Sequence, residues 1–289
     1  MTFVRLAGRL TLLLAVACDR AADVPGASPS DVPALTAAGG SARGALTPHD
    51  SLIPVDFLGA SIRRGRGILA ATRDSLPEHV GNQLRCTSCH FDNGTRADVM
   101  PWIGVYGQFP QYRARSGGVQ IIEDRINDCF ERSMNGKALP SDSRAMRDIV
   151  AYMAFLSREI PVGAKVAGQG MPAVKPLNAD TSRGAAIYAT TCARCHGANG
   201  QGGVAPPAWG SGSYNIGAGM ARLRTAAAFV RVSMPYDKPG TLTDQQAYDV
   251  AAYLNSRPRP DFSGKEKDWP NGDPPPDVAY PTSALAAKQ

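Results

Sequence analysis

Apolar residues recur at helical spacing in two stretches of this chain. Residues 146–157 carry them at i, i+3, i+4, i+7 and i+10, and residues 247–254 repeat the beginning of that pattern. A capping box of Thr243 and Gln246 marks the start of the second helix. The segment "RGAAIYATTCARCH" predicts another helix, and no stretch alternates convincingly as a strand would. The pattern therefore predicts an all-α fold with long loops.

The same succession of motifs occurs twice along the chain. The first copy reads "LRCTSCH", "NG", "MPW" and "MRDIVAYMAFLS", and the second reads "TTCARCH", "NG", "PPAW" and "AYDVAAYLNS". His90 lies 12 residues before Trp102, and His196 lies 13 residues before Trp209. Two copies in one order indicate two tandem domains of one fold.

Composition agrees with two globular domains. The chain has 289 residues, of which 43% are hydrophobic and 19% charged, and this composition is not that of a disordered chain. Segments rich in Ala, Pro, Gly and Ser separate the parts. The predicted division is a signal peptide over 1–17, a flexible linker over 18–50, a first domain over 51–162, a second linker over 163–180, a second domain over 181–258 and a Pro-rich tail over 259–289.

The N-terminus predicts export to the periplasm. Arg5 and Arg9 precede a short apolar run that ends in an "AVA" cleavage signal. Cys18 follows it as in a lipobox, so acylation of Cys18 is an alternative to simple cleavage, and the protein would meet a membrane only in that case. Without Arg5 and Arg9 the formal charge of +6 falls to +4. Nothing resembles a nucleic-acid-binding motif, so no nucleic-acid partner is expected.

Two CxxCH motifs predict two covalently attached haem c groups, one in each cytochrome c-type domain. The two thiols of a motif can add to the vinyl groups of one haem, and the histidine that follows places an imidazole on the iron. A CxxC redox pair or a zinc site is the alternative, but zinc needs more ligands close by, and the chain has only two other histidines. The attachment residues are Cys86, Cys89, Cys192 and Cys195, and the iron ligands are His90 and His196.

The sixth iron ligands are expected from the loop before each closing helix. In the second domain this loop contains Met234, in "SMP", and Met220 is the alternative. Aligning "DIVAYM" with "DVAAYL" maps Met234 onto Ser133 of the first domain. Met134 is adjacent and Cys129 lies about one helical turn earlier, so either sulfur could reach the first iron.

Four of the other five cysteines would hold haem, which leaves only Cys18 as a partner for Cys129, and acylation of Cys18 would remove that partner too. A disulfide or an inert buried thiol is the alternative to a functional role. A lone thiol in an oxidising compartment favours a functional role, and as a thiolate it would be a nucleophile. Arg113, Arg115, Arg125 and Arg132 lie near it in the sequence, balanced by Glu123, Asp124, Asp128 and Glu131. We interpret Arg113 and Arg132 as solvated or salt-bridged. A pair of guanidinium groups beside a thiolate would suit a sulfur oxoanion.

Residues 55–270 resemble the dihaem thiosulfate dehydrogenases. The resemblance rests on "PWIGVYGQFPQYRARSG", "IEDRINDCFERSMNGKALP", "CARCHGANGQG" and "AGMARLRTAAAF", and the string around Cys129 is specific because ordinary cytochromes c do not carry it. The family implies a periplasmic enzyme that joins two thiosulfate ions into tetrathionate, or runs the reverse reaction. Its electrons would leave for a small periplasmic cytochrome c or a similar acceptor.

The resemblance also implies roles for individual residues. The active-site haem would be ligated by His90 and Cys129, and the Cys129 sulfur would hold a thiosulfate-derived sulfur before the second substrate attacks. Arg115, Arg125 and Ser133 match family active-site positions. The second haem would be ligated by His196 and Met234. Ser233 stands where some members carry a lysine that exchanges with the methionine, so ligand exchange by that route is not expected here.

Two other functions remain open from the sequence. The protein could be a dihaem electron carrier in which Cys129 only tunes a potential. It could also be the haem subunit of a larger sulfur-oxidising complex. A dihaem peroxidase is disfavoured because its sites use additional histidines, and only His49 and His79 are spare.

Overall fold

The computed structural model describes residues 34–35 and 48–282. Predictions for the signal peptide, Cys18 and most of the first linker lie outside these residues. The domains are built by α1 (Phe57–Ala70), α2 (Ile122–Asp128), α3 (Arg144–Ser157), α4 (Thr181–Ile187), α5 (Ala193–His196), α6 (Leu223–Ser233) and α7 (Asp244–Asn255). Two π-helical turns, Cys129–Ser133 and Tyr188–Cys192, extend α2 and α4.

Shorter elements connect these helices. Helical turns cover Asp50–Leu52, Thr72–Ser75, Cys86–Ser88, Phe91–Gly94, Tyr106–Gln108, Gly219–Ala221 and Lys265–Lys267. The helical segments predicted around 146–157, 183–196 and 247–254 are all present, and Thr243 and Gln246 form the expected capping box. Among the described residues, no helix has the length and apolar character needed to cross a membrane.

The structure adds short strands that the sequence pattern did not reveal. Strands β2 (Gln111–Arg113) and β3 (Gly118–Gln120) form an antiparallel hairpin, and β1 (Ala34–Leu35) pairs in parallel with β4 (Lys165–Val166). Three residues are too few to display an alternating pattern, and the hairpin is only half-buried. The all-α prediction is confirmed, with the hairpin as a local addition.

In the first domain, α1 crosses α3 at a glycine. A Cβ atom on Gly65 would overlap the Asp148 carbonyl oxygen, so only glycine permits this approach of the two backbones. The neighbouring Arg64 donates two hydrogen bonds to the Asp148 carboxylate, at 2.7 and 2.8 Å, and Ser61 donates a third. Burial alone would raise the pKa of Asp148, but these hydrogen bonds outweigh it and lower that pKa.

The second domain repeats this crossing with α4 and α7. A Cβ atom on Gly184 would overlap the Asp249 carbonyl oxygen. Arg183 donates to the Asp249 carboxylate at 2.7 and 3.0 Å, and the Asp180 backbone N–H donates to it at 2.8 Å. The Arg-Gly pair and its aspartate thus occupy equivalent positions in both copies of the sequence repeat.

A loop of the second domain packs into the first. Tyr214, Ala218 and Ala221 belong to the same buried cluster as the first domain's core. Asn215 donates to the carbonyls of Glu131 (2.8 Å) and Arg132 (3.2 Å), the latter through its backbone N–H. This loop is therefore held against the π-helical turn that begins at Cys129.

The Pro-rich tail, described as far as residue 282, also packs on the first domain. Its side chains Asp268, Trp269, Tyr280 and Thr282 are buried. The Trp269 backbone N–H donates to the Arg115 carbonyl at 2.8 Å. The tail thus forms part of the surroundings of residues 113–133.

Replacing Gly65 by alanine should destabilise the first domain because the new methyl group would force α1 away from α3. We expect a loss of roughly 1–3 kcal/mol in the free energy of unfolding, measured by urea denaturation of the haem-loaded protein. Gly67, on the same helix, has open space around it and is the matched control. Gly67→Ala should instead stabilise the protein by about 0.4–1 kcal/mol. Equal effects of the two variants would contradict the proposed crossing constraint.

The lowered pKa of Asp148 makes its contribution to stability depend on pH. A carboxyl group with a depressed folded-state pKa stabilises the protein above its unfolded pKa, about 3.9, and this contribution is lost as pH falls through the folded-state value. Wild type should therefore unfold at higher urea than Asp148→Asn near neutrality, and the gap should shrink below about pH 4. Asp142→Asn, at an exposed position, should show no such pH-dependent gap.

Candidate active site

Both CxxCH histidines are oriented by a backbone carbonyl ten residues downstream. Nδ1 of His90 lies 2.6 Å from the Met100 oxygen, and Nδ1 of His196 lies 2.7 Å from the Pro206 oxygen. A carbonyl only accepts hydrogen bonds, so each Nδ1 carries the proton and each Nε2 keeps its lone pair for a metal. Burial lowers the pKa of His90 to about 4, which keeps that ring neutral.

The cysteines of both motifs fit covalent haem attachment. Among the described residues Cys86, Cys89, Cys192 and Cys195 are all free of disulfides, as thioether formation requires. Burial raises the pKa of the Cys86 and Cys89 thiols to about 12 and that of Cys192 to about 11, which indicates apolar surroundings. No group of three or more His, Cys, Asp and Glu side chains in the described part is arranged to hold a metal ion.

Met234 is the thioether that the sequence predicts as a ligand of the second iron. It directly follows α6 and packs against the buried cluster that Cys192 also contacts. Met220 instead packs between the two domains, and it does not contact that cluster. Ser233 is buried beside Met234, and its hydroxyl has no hydrogen-bond partner in the described part of the chain.

Cys129 opens the π-helical turn and lies close to the first CxxCH motif. Burial is the main cause of the raised pKa values of Cys86 and Cys89, and the charge of a nearby Cys129 thiolate would add to both. Nη1 of Arg125 donates to the Cys129 sulfur at 2.9 Å, and the charge of that sulfur raises the pKa of Arg125. Met134, the other candidate, is buried in the core of the first domain.

A cavity of about 340 Å³ lies beside this turn. Five arginine side chains line it, together with Ser133 and two residues of the tail. Of the four acidic residues expected to balance the arginines, only Asp128 lines the cavity. The arginines are Arg113, Arg115, Arg125, Arg132 and Arg222.

The interpretation of Arg113 as salt-bridged is wrong within the described residues, and its interpretation as solvated stays a prediction, because the side chain is only half-buried. Arg113 lines the cavity and forms no ion pair among the described residues. Burial, followed by the charge of Arg125, lowers the pKa of the Arg113 guanidinium. Arg113 lies at the cavity because it belongs to strand β2 of the hairpin. The residues around it in the sequence do not reveal this hairpin.

Arg132 is salt-bridged, as expected, but to a residue of the tail. Its guanidinium donates two hydrogen bonds to Asp268, at 2.7 and 2.8 Å, and one to Asp128 at 3.3 Å. The Phe262 ring lies 4.3 Å from its guanidinium carbon, and the Tyr280 hydroxyl donates to Asp268. Burial and the Asp268 hydrogen bond raise the pKa of Tyr280 to about 12.

Arg115 is fixed by the tail and by the second domain. Its Nη1 donates to the Gly217 carbonyl at 2.8 Å, and its guanidinium carbon lies 4.6 Å above the Trp269 ring. Burial and the charge of Arg132 lower the pKa of Arg115. Sequence reasoning missed Asp268, Trp269 and Arg222, since each lies more than 80 residues from Cys129 with no motif joining them.

Helix topology, the duplicated crossing and the two CxxCH sites define a two-domain cytochrome c. A family model described as "SoxA/TsdA, cytochrome c domain" matches residues 78–162, and one described as "Cytochrome C oxidase, cbb3-type, subunit III" matches residues 179–254. Cytochrome c domains hold haem c covalently, so haem c is the cofactor of this chain.

Comparison with known proteins identifies the family to which the chain belongs. It is 46% identical to the thiosulfate dehydrogenase of Psychrobacter arcticus over 239 residues, covering 80% of this chain and 73% of the relative. It is also 46% identical to that of Allochromatium vinosum over 231 residues, covering 75% and 86%. The chain belongs to the thiosulfate dehydrogenase family, which confirms the resemblance seen in its motifs.

A solved structure agrees with this assignment. Thiosulfate dehydrogenase (TsdBA) from Marichromatium purpuratum, in its "as isolated" form, matches with a TM-score of 0.72 and 37% identity. The match covers 76% of this chain but spans only 51% of that longer chain.

Replacing Asp268 by asparagine should leave the buried Arg132 guanidinium with only its 3.3 Å contact to Asp128. Removing one partner of a buried ion pair costs roughly 3–5 kcal/mol, and the free energy of unfolding should fall by up to that amount. Asp261→Asn, at an exposed tail position, is the control and should cost less than about 1 kcal/mol. Urea denaturation of both variants measures the difference, and equal losses would show that the tail is not anchored through Asp268.

Proposed function

We propose that this protein oxidises two thiosulfate ions to one tetrathionate ion at Cys129 and delivers two electrons to a small periplasmic cytochrome c or similar acceptor. The observation that carries the proposal is the 2.9 Å contact between Arg125 and the Cys129 sulfur at an arginine-lined cavity. The names of the relatives support thiosulfate as the substrate. The N-terminal sequence supports a periplasmic location.

Two haem c groups complete the proposed enzyme. Cys86 and Cys89 would hold the first, with His90 and Cys129 as iron ligands. Cys192 and Cys195 would hold the second, with His196 and Met234 as ligands. Cys129 is preferred to Met134 because Met134 packs in the core, whereas Cys129 is only partly buried and faces Arg125. When bound, each haem can accept one of the two electrons.

Both steps of the proposed reaction take place at the Cys129 sulfur, and their atoms and charges balance. The Cys129 thiolate and the terminal sulfur of one thiosulfate form an S–S bond, which releases two electrons and gives a Cys–S–S–SO₃⁻ adduct. The terminal sulfur of the second thiosulfate then attacks the sulfur bonded to Cys129. The Cys129 S–S bond breaks, tetrathionate forms, and the Cys129 thiolate is restored without loss of a proton or further electrons.

The cavity residues favour this reaction electrostatically. Arg125 stabilises the thiolate through a charge-assisted hydrogen bond, and this interaction is needed again when the thiolate leaves. Arg115, held rigid by Gly217 and Trp269, presents a fixed positive charge to the sulfonate group of a bound thiosulfate. Ser133 lines the same cavity and can donate a hydrogen bond to a sulfonate oxygen.

The test compares thiosulfate-dependent reduction of an artificial acceptor by the haem-loaded wild type, Cys129→Ala and Arg125→Gln, with haem content confirmed spectroscopically. Cys129→Ala should lose activity by about a thousandfold or more, as loss of a covalent nucleophile does. Arg125→Gln should lose about a hundredfold, the cost of removing one charge-stabilising donor. Arg147→Gln, at an exposed position, is the matched control and should retain wild-type activity.

The outcomes separate the proposed enzyme from the alternatives. A wild type inactive with thiosulfate, and with tetrathionate in the reverse direction, would favour the electron carrier or the complex subunit. Activity that survives in Cys129→Ala would keep the reaction but remove Cys129 from its centre.

A further inference from the structure

The proposed reaction requires two dianions in one cavity, and the inference that follows rests on that proposed function. The first thiosulfate becomes bonded to Cys129 next to Arg125. The second must approach the adduct with its terminal sulfur directed at the Cys129-bound sulfur, so its sulfonate group must lie farther from Cys129. A second group of positive charges is needed there, because the adduct itself is negatively charged.

Three of the five cavity arginines already have partners. Arg125 donates to Cys129, Arg132 is bound to both Asp268 and Asp128, and Arg115 donates to Gly217 while it stacks on Trp269. The side chains of the other two form no hydrogen bond or ion pair among the described residues. They are Arg113, on the hairpin of the first domain, and Arg222, which immediately precedes α6 of the second.

Arg222 is held at the cavity by the loop that packs into the first domain. The turn Gly219–Ala221 before it is anchored by burial of Ala221 and by the hydrogen bonds that Asn255 donates to the carbonyls of Met220 and Ala221. The Nε atom of Arg222 is fully buried and has no hydrogen-bond partner within the described residues. A buried donor left unpaired costs free energy, which a bound anion would recover.

Arg222 also lies close to the other cationic groups. Its positive charge contributes to lowering the pKa values of both Arg113 and Arg115, after burial and their nearer arginine neighbours. Side chains of like charge gathered at one cavity repel one another, and a dianion between them removes that repulsion. The backbone N–H of Arg224, at the start of α6, is already bonded to Asp277 and is not available to the same anion.

We propose that Arg113 and Arg222 form the subsite for the sulfonate group of the second thiosulfate, the one that attacks the Cys129 adduct. The second domain therefore contributes a substrate-binding side chain as well as a route for electrons. The bond changes are those of the second step above: the new S–S bond forms to the Cys129-bound sulfur, and the Cys129 thiolate is the leaving group.

The experiment separates formation of the adduct from its consumption. Oxidised, haem-loaded wild type, Arg222→Met and Arg222→Lys are each mixed with one equivalent of thiosulfate, and the Cys129 adduct is measured by intact-protein mass spectrometry. Steady-state kcat and KM for thiosulfate are measured in parallel. Arg224→Met, two residues away on the exposed side of α6, is the matched control.

Arg222→Met should form the adduct to the wild-type extent. Its KM for thiosulfate should rise about tenfold or more, and its adduct should decay more slowly than that of wild type when more thiosulfate is added. Arg222→Lys should recover part of the loss, because it restores the charge without the planar pair of donors. Arg224→Met should match wild type. If Arg222→Met fails to fold, Arg113→Gln supplies the same test from the first domain.

Each outcome decides a different point. A wild type without adduct and without turnover contradicts the proposed function itself. A wild type that turns over, with wild-type KM and adduct decay in Arg222→Met and Arg113→Gln, overturns the second subsite alone. Loss of the adduct in Arg222→Met would show that Arg222 serves the first thiosulfate, which also overturns the assignment.

Discussion

The crossing of two helices within each domain positions the segments that carry the CxxCH motifs and the turn at Cys129. A glycine lets the backbones touch, and an arginine beside it binds the buried aspartate of the partner helix. Once α1 is fixed on α3, the chain that connects them is fixed at both of its ends. The part that follows α1 leads into Cys86, Cys89 and His90, and the part that precedes α3 carries α2 and the turn at Cys129. The same constraint in the second domain fixes α4, which leads into Cys192 and His196, against α7, and Cys192 and Met234 pack against one apolar cluster.

The cavity at Cys129 is assembled from segments that are distant in the sequence. The hairpin supplies Arg113, α2 and its π-helical turn supply Arg125 and Ser133, the second domain supplies Arg222, and the tail supplies Trp269. A π-helical turn widens the helix at the point where Cys129 must face the site, which agrees with the frequent use of such turns at functional sites. The cavity therefore depends on docking of both the second domain and the tail.

The sequence was informative where a pattern is local or repeated. Helical periodicity and the two CxxCH motifs were sufficient to predict the fold class, and the family resemblance singled out Arg115, Arg125 and Ser133, which all line one cavity. They could not reveal Asp268 or Arg222, because nothing local indicates that a carboxylate in a Pro-rich tail will bind Arg132. The position of Arg113 at the cavity was hidden for a related reason, since a strand of three residues has no visible alternation.

The tail also sets how strongly the cavity attracts anions during the proposed reaction. Five guanidinium groups and Asp128 line the cavity, Asp268 binds Arg132 from the tail, and the proposed resting state adds the Cys129 thiolate beside Arg125. Forming the adduct moves the single negative charge from the Cys129 sulfur to the sulfonate group of the adduct, so the net charge that the arginines offset is unchanged when the second thiosulfate arrives. Breaking the adduct returns that charge to the Cys129 sulfur as the tetrathionate dianion forms. Without Asp268 the cavity would stay more positive throughout, and the same charges that collect two dianions would then hold the product.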